Sequence, residues 1–209
     1  MARPFQFDRD VVLTKAMVLF WENGYFNTSF DDIVDRLALS RSSIYNSFTD
    51  KRTLFIASLR HYIQRESRSL LMALQNLPPT PDSIRQLLCQ VVQANQTGEN
   101  PKGCLVVNSA IEFSNHDEEI RRIIENNVKE VVESFTCFIE AGQQLGHFTC
   151  QIKAEALAEA LFHQITALRV TGKIVFEPSF FDNTIETFLQ SISKSKPHHG
   201  NKRKNHKQH

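Results

Sequence analysis

TSFDDIVDRLALSRSSIYNSFTDKRTLF, residues 28–55, spells two short helices joined by a tight turn, and its reading decides the fold. Thr28 stands where an N-cap is needed, with its hydroxyl placed to accept from a first-turn N–H. Asp31 and Asp32 follow at the positive end of the helix dipole. Ile33, Val34 and Leu37 give this helix one apolar side. After the turn, Ser40 is the expected cap of a second helix, Arg41 to Phe48, in which Ile44 and Phe48 form a buried pair four residues apart. The other side chains face outward. A helix of this length does not hold its shape in water, so tertiary packing must fix it.

The outward residues suit nucleic acid. Arg41 can reach guanine edges or phosphate, Asn46 can pair bidentately with adenine, and the hydroxyls of Ser42, Ser43, Tyr45 and Ser47 match phosphate oxygens. A solvated hairpin inside an α-bundle would show the same apolar spacing. The residue choice on the free face is what favours a DNA reader over that reading.

Working outward, a first helix is expected over about Asp8 to Asn23, burying Val11, Val12, Ala16, Leu19 and Phe20, with Gly24 closing it. A fourth helix starts at Asp50, whose carboxylate caps the end from which Lys51 reaches a phosphate. It carries Leu54, Phe55, Leu59 and Tyr62 and turns more polar toward Leu74. Pro78, Pro79 and Pro81 break the chain. A helix from about Asp82 to Ala94 buries Leu87, Leu88 and Val91, and the loop QTGENPKG (96–103) interrupts before CLVVNSAIEF (104–113). Asn115 or His116 opens a long helix to about Gly142, with Ile120, Ile124, Val128, Val131, Phe135 and Phe138 recurring at three and four residues. Two more helices follow, about Ala154 to Thr171 and about Ser179 to Ile192. Glycine is scarce and no stretch alternates apolar with polar residues, so the chain reads as all-α.

Length and charge narrow the function classes. The 209 residues, 41% hydrophobic, support a real core without staples. The net charge of +1 excludes a protein that coats nucleic acid generally. Six of the 24 Lys and Arg lie from Lys194 onward with no acid among them, which leaves 18 basic against 23 acidic residues before it, or −5. Any DNA affinity of the folded part must therefore be local, from Arg41, Lys51 and Arg52 with Arg3 and Arg9. The tail 195–209 is expected to be disordered and basic. No apolar run approaches the roughly 20 residues that span a bilayer, and no signal segment leads the chain, so a cytoplasmic location and no membrane partner are expected.

The run from about Asp8 to Tyr62 resembles the N-terminal domain of the TetR family of bacterial transcriptional regulators, through LFWENGY (19–25), TSFDDI (28–33), SRSSIYNSF (40–48) and DKRTLF (50–55). One departure is Ala38, which stands where such proteins usually carry Gly. A left-handed alanine there costs on the order of 1 kcal/mol. The resemblance implies a helix-turn-helix DNA-binding domain at 1–50, a linking helix at about 51–75 and a ligand-binding and dimerisation domain at 76–194. It also implies a homodimer on double-stranded operator DNA, acting as a repressor released by an unknown small-molecule or electrophile inducer. The implied DNA contacts are Thr28, Arg41, Ser42, Ser43, Tyr45, Asn46, Ser47 and Lys51.

Where the inducer acts is a separate question. Cys89, Cys104, Cys137 and Cys150 lack zinc-ligand spacing, so no structural metal or cofactor is expected, and three of them read as small buried residues. Cys104 differs because it follows Lys102 and Gly103 at a helix start, where the dipole and a lysine favour the thiolate. The segment KGCLVVNSAIE (102–112) resembles a pattern in a subset of TetR regulators, some of which respond to electrophiles or oxidants. Packing of Cys104 as a small hydrophobe is the competing reading. Phe113, Phe135, Phe138, Phe162 and His163 are candidate lining residues of a ligand pocket, though each also suits ordinary core. A cytosolic thiol-dependent enzyme using Cys104 and a helical protein-interaction module are the alternatives from other classes.

Overall fold

The computed structural model describes residues 8–96, 103–113, 116–175 and 177–194, and within these the chain is helical, with a single bridge between Phe148 and Ser193. Arg3, Lys102, most of the 96–103 loop, Asn115 and the basic tail 195–209 lie outside the described residues.

Helix α1 (Arg9–Asn23) is capped by Asp8, which accepts from the Asp10 and Val11 amides, and Gly24 ends it at φ 79°. It buries Val12, Ala16, Met17, Leu19 and Phe20. Val11, expected inside, is half exposed, because a stripe through positions 12, 16, 19 and 20 leaves position 11 on its flank.

Helix α2 (Phe30–Leu37) starts one residue later than expected. Ser29, not Thr28, is the N-cap, and it forms a reciprocal capping box with Asp32. Thr28 is buried and donates its hydroxyl to the Gly24 carbonyl at 2.5 Å. Ala38 takes the left-handed conformation, φ 54° and ψ 43°, as the turn requires.

Helix α3 (Arg41–Phe48) is capped by Ser40 and buries Ile44 and Phe48. Thr49 then adopts φ 59° and ψ −51°, and the Asp50 amide donates to the Phe48 carbonyl at 2.5 Å. This γ-turn is a strained conformation for a β-branched residue. It gave no signal in the sequence.

Asp50 caps α4 (Lys51–Tyr62), which runs through a π-helical segment (Ile63–Ser67) into α5 (Arg68–Gln75). The body comprises α6 (Pro81–Gln96), α7 (Leu105–Phe113), α8 (Glu118–Gln144), α9 (Ala154–Thr171) and α10 (Pro178–Ile192). Asp117, rather than Asn115 or His116, opens α8, accepting from the Glu119 and Ile120 amides.

Two hydrophobic cores result. One joins α5, α6, α9 and α10 with α8 from Val131 onward, around Leu87, Phe135, Phe148, Leu161 and Phe181. The other is the core of α1–α4, and it also takes in Cys104, Leu105, Val106 and Phe113 around α7 and Ile120 of α8. Helix α7 is thus packed as part of the N-terminal unit although it follows residue 76.

Candidate nucleic-acid interface

Helices α2 and α3 bury one side each, and what remains of α3 is a polar face. Arg41, Ser42, Tyr45 and Asn46 are exposed, while Ser43 and Ser47 are partly buried. Ser43 is held within the cap, its hydroxyl 2.8 Å from that of Ser40. Tyr45 stacks on Phe30 with centroids 4.7 Å apart and planes 11° from parallel. The Arg41 guanidinium lies 5.2 Å above the same Phe30 ring and pairs with Asp31. Phe30 therefore orients two polar side chains at once. Its part was not foreseen, although an aromatic at the first position of α2 is legible in the sequence.

Lys51 sits at the start of α4 with its ammonium 4.3 Å above the Tyr25 ring. Partial burial pulls its pKa down, and Glu112 and Asp32 push it back up. Asp50, which accepts from the Thr53 amide at 2.6 Å, is held below the usual carboxylate range by that bond. The surface accordingly offers cations and donors from Arg41 through Lys51. Thr28 is not part of it: with its side chain buried and its hydroxyl committed to Gly24, it presents nothing to a phosphate.

The frame behind this face is fastened at two points. Glu112, near the end of α7, accepts from the Tyr25 amide at 2.7 Å and the Phe26 amide at 3.2 Å. Arg52 donates to both carboxylate oxygens of Asp117, at 2.6 and 2.9 Å, and to Glu119 at 2.9 Å. Hydrogen bonding to Arg52 holds the Asp117 carboxyl below its ordinary value, and the same contacts raise the Arg52 guanidinium.

The expected pocket residues separate into two groups. Cys104, Phe135 and Phe162 line a small cavity of about 30 Å³, together with Tyr62, Glu66, Asn127 and Arg169. Phe113 instead joins the aromatic cluster of Tyr25, Phe26 and Phe55, with centroids 5.0 to 5.5 Å away. Phe138 packs toward Phe148 at 6.2 Å, in the body core. His163 is exposed, edge-on to Phe162. Cys104 is buried and accepts a hydrogen bond from Arg169 at 3.4 Å. Cys137 and Cys150, expected to be buried, are exposed, and Cys89 is partly so. Among the described residues no group of His, Cys, Asp and Glu is placed to hold a metal ion, and no helix is long and apolar enough to cross a membrane.

Comparison with known proteins agrees with this architecture. Residues 12–58 match the family model described as bacterial regulatory proteins, tetR family, and residues 81–188 match the tetracyclin repressor-like C-terminal domain. The chain is 32% identical to the HTH-type transcriptional regulator YezE of Bacillus subtilis (strain 168) over 135 residues, covering 65% of this chain and 70% of that one. It is 26% identical to the HTH-type transcriptional repressor ComR of Escherichia coli (strain K12) over 172 residues, 82% of each chain. A cysteine mutant of the TetR family transcriptional regulator CifR, solved in complex with 26-bp double-strand operator DNA, superposes with a TM-score of 0.80. It shares 26% identity and covers 91% of this chain and 100% of that one. With a polar α3 face set on a helix-turn-helix and both family domains in order, the chain belongs to the tetR family of bacterial regulatory proteins and is a DNA-binding transcriptional regulator.

Proposed function

We propose that the protein is a homodimeric repressor that occupies operator DNA with two copies of the α2–α3 unit and leaves it when the cavity beside Cys104 is filled. The observation that carries the DNA part is the exposed face of α3. Arg41, Tyr45 and Asn46 are held outward there by Phe30 and by the buried Ile44 and Phe48. In this reading Asn46 reads a base edge and Arg41 exchanges Asp31 for a base edge or phosphate. Ser42, Ser43, Tyr45, Ser47 and Lys51 hold the backbone.

A second copy is needed because one eight-residue helix covers few base pairs. Two heads about 34–36 Å apart read half-sites one turn apart. Helix α9 supports a two-fold contact, since Ala156, Ala160, His163 and Ala167 are exposed at spacings of four, three and four residues, on one face. Small residues let helices approach closely. The division of labour proposed is a DNA head at 1–50, a linking helix at about 51–75 and a ligand-binding and dimerisation body at 76–194. The setting proposed is the cytoplasm.

Footprinting of the purified protein on the DNA upstream of its own coding region is the test. A protected palindrome is expected. Asn46→Ala should cost roughly 1–3 kcal/mol and relax the preference at one position, while Lys51→Ala should weaken all sequences alike. No sequence-dependent protection, or an Asn46→Ala variant with unchanged base preference, refutes the assignment.

A further inference from the structure

The cavity is lined from several helices, with Cys104, Val106 and Val107 at the start of α7 on one side. Tyr62 ends α4 and is followed by Glu66 and Ser67 of the π segment, Asn127 and Phe135 come from α8, and Phe162 and Arg169 come from α9. Two of its polar groups are donors short of a good acceptor. The Asn127 Nδ2 is buried with no hydrogen-bond partner, in a residue only 7% exposed. The Arg169 guanidinium, with five N–H groups, has the Cys104 sulfur as its hydrogen-bond partner at 3.4 Å, and a thiol is a weak acceptor. Burial, with Cys104 nearby, pushes the pKa of the Tyr62 hydroxyl well above the ordinary range, so it stays a neutral donor. The carboxylate of the lining, Glu66, is exposed. Arg169 and Asn127 make one side of the lining rich in donors, while Leu70, Val131, Phe135, Phe162 and Ile165 make the remaining walls apolar.

A buried donor left without an acceptor is destabilising until something accepts from it. A carboxylate satisfies Asn127 and Arg169 together, because a guanidinium pairs with two carboxylate oxygens at once and binds them far better than sulfur. An amine meets the Arg169 charge, and an alcohol or amide supplies an acceptor without the charge. The slot is also narrow, with a volume of about 30 Å³, so it admits a slender chain more readily than a fused ring system.

We infer that this cavity binds a small organic monocarboxylate, its head group held by Arg169 and Asn127 and its aliphatic chain laid against Phe135, Phe162 and Ile165. The inference deepens the inducer reading above and rests on it for the consequence that binding releases DNA. The contact at Tyr62 reaches the DNA head, since this ring packs edge-on against Trp21 of α1 at 4.9 Å. Cys104 serves as the acceptor that the carboxylate displaces.

The test is calorimetric titration of the full chain with sodium hexanoate, hexanamide and hexylamine, beside operator binding followed by fluorescence anisotropy. Hexanoate should bind saturably, about tenfold or more tighter than hexanamide, and hexylamine should not bind. Arg169→Gln should weaken hexanoate by about tenfold or more. Asn127→Leu removes the orphan donor, so it should lower affinity several-fold while leaving the melting temperature unchanged or raised. Cys104→Ser should change hexanoate affinity by less than about threefold. Equal binding of acid and amide, no binding of hexanoate, or an unaffected Arg169→Gln variant overturns the inference. Failure of the ligand-free protein to bind any operator instead overturns the repressor reading and leaves the titration standing; hexanoate that binds without releasing DNA overturns only the inducer role.

Discussion

Replacing Ala38 with Gly should stabilise the protein, and the size of the gain follows from one pair of angles. At φ 54° and ψ 43° the Ala38 Cβ crowds the following carbonyl, a cost of about 1–2 kcal/mol that glycine does not carry. Against this, glycine loses more chain entropy on folding, about 0.4–1 kcal/mol. The Ala38 amide, which donates to the Val34 carbonyl at 3.0 Å, is kept in both proteins. Ala38 is exposed, so no packing is lost. The net gain is about 0.5–1 kcal/mol, or about 1–4 °C in melting temperature for a chain of this size. Urea unfolding followed by the fluorescence of Trp21, the only tryptophan, reports on α1 and the head it supports. A midpoint shifted upward at unchanged slope is expected. A glycine variant no more stable than the parent refutes the strain argument.

Other perturbations probe the fastenings and the cores. Glu112→Gln keeps the side-chain length but lowers the charge on the bonds to the Tyr25 and Phe26 amides, so these two should exchange hydrogen about tenfold faster, a loss of about 1.4 kcal/mol; unchanged protection would show that the loop is held by its aromatic contacts alone. Asp117 has its carboxyl pKa lowered from an ordinary 3.8 by Arg52, so its contribution is complete above that value and is lost as pH falls through the lower folded value. The stability gap between parent and Asp117→Asn should accordingly narrow as pH is taken from about 6 to about 3 in denaturant titrations, and a gap independent of pH would contradict the pairing. Gly142→Ala sets a methyl against the Phe148 ring and 2.7 Å from the Pro79 carbonyl oxygen, and should destabilise by about 1–3 kcal/mol; a neutral effect on the thermal midpoint would mean that the packing of α8 against Phe148 and the segment before α6 yields easily.

The legible parts of the molecule were those written in local pattern. Ser40 and Asp50 cap where their side chains imply, Ala38 is left-handed, and Ile44 and Phe48 are buried as a pair. The Thr28 cap failed because two adjacent hydroxyl residues compete for one role; Asp32, three residues beyond Ser29, completes a box that decides between them. Thr49 was missed because its γ-turn is imposed by the junction of two capped helices, against the preference of threonine itself. The lining of the cavity was only partly visible. Phe135 and Phe162 follow from apolar spacing, whereas Asn127 and Arg169 are polar residues on helices whose neighbours read as core, and only tertiary packing brings them to Cys104. Phe113 and Phe138 look like their lining counterparts in sequence, and the aromatic neighbours each is pressed against separate them.

The residence of α7 in the N-terminal core bears on how such proteins can be recombined. Phe113 fills a socket between Tyr25 and Phe55, and Leu105, Val106 and Ile120 cover the same side of α1–α4. A graft that takes residues 1–75 onto a foreign body leaves that socket open to water. A chimera joined at the linking helix must bring residues 104–120 with its head, so the transplantable piece is discontinuous along the chain.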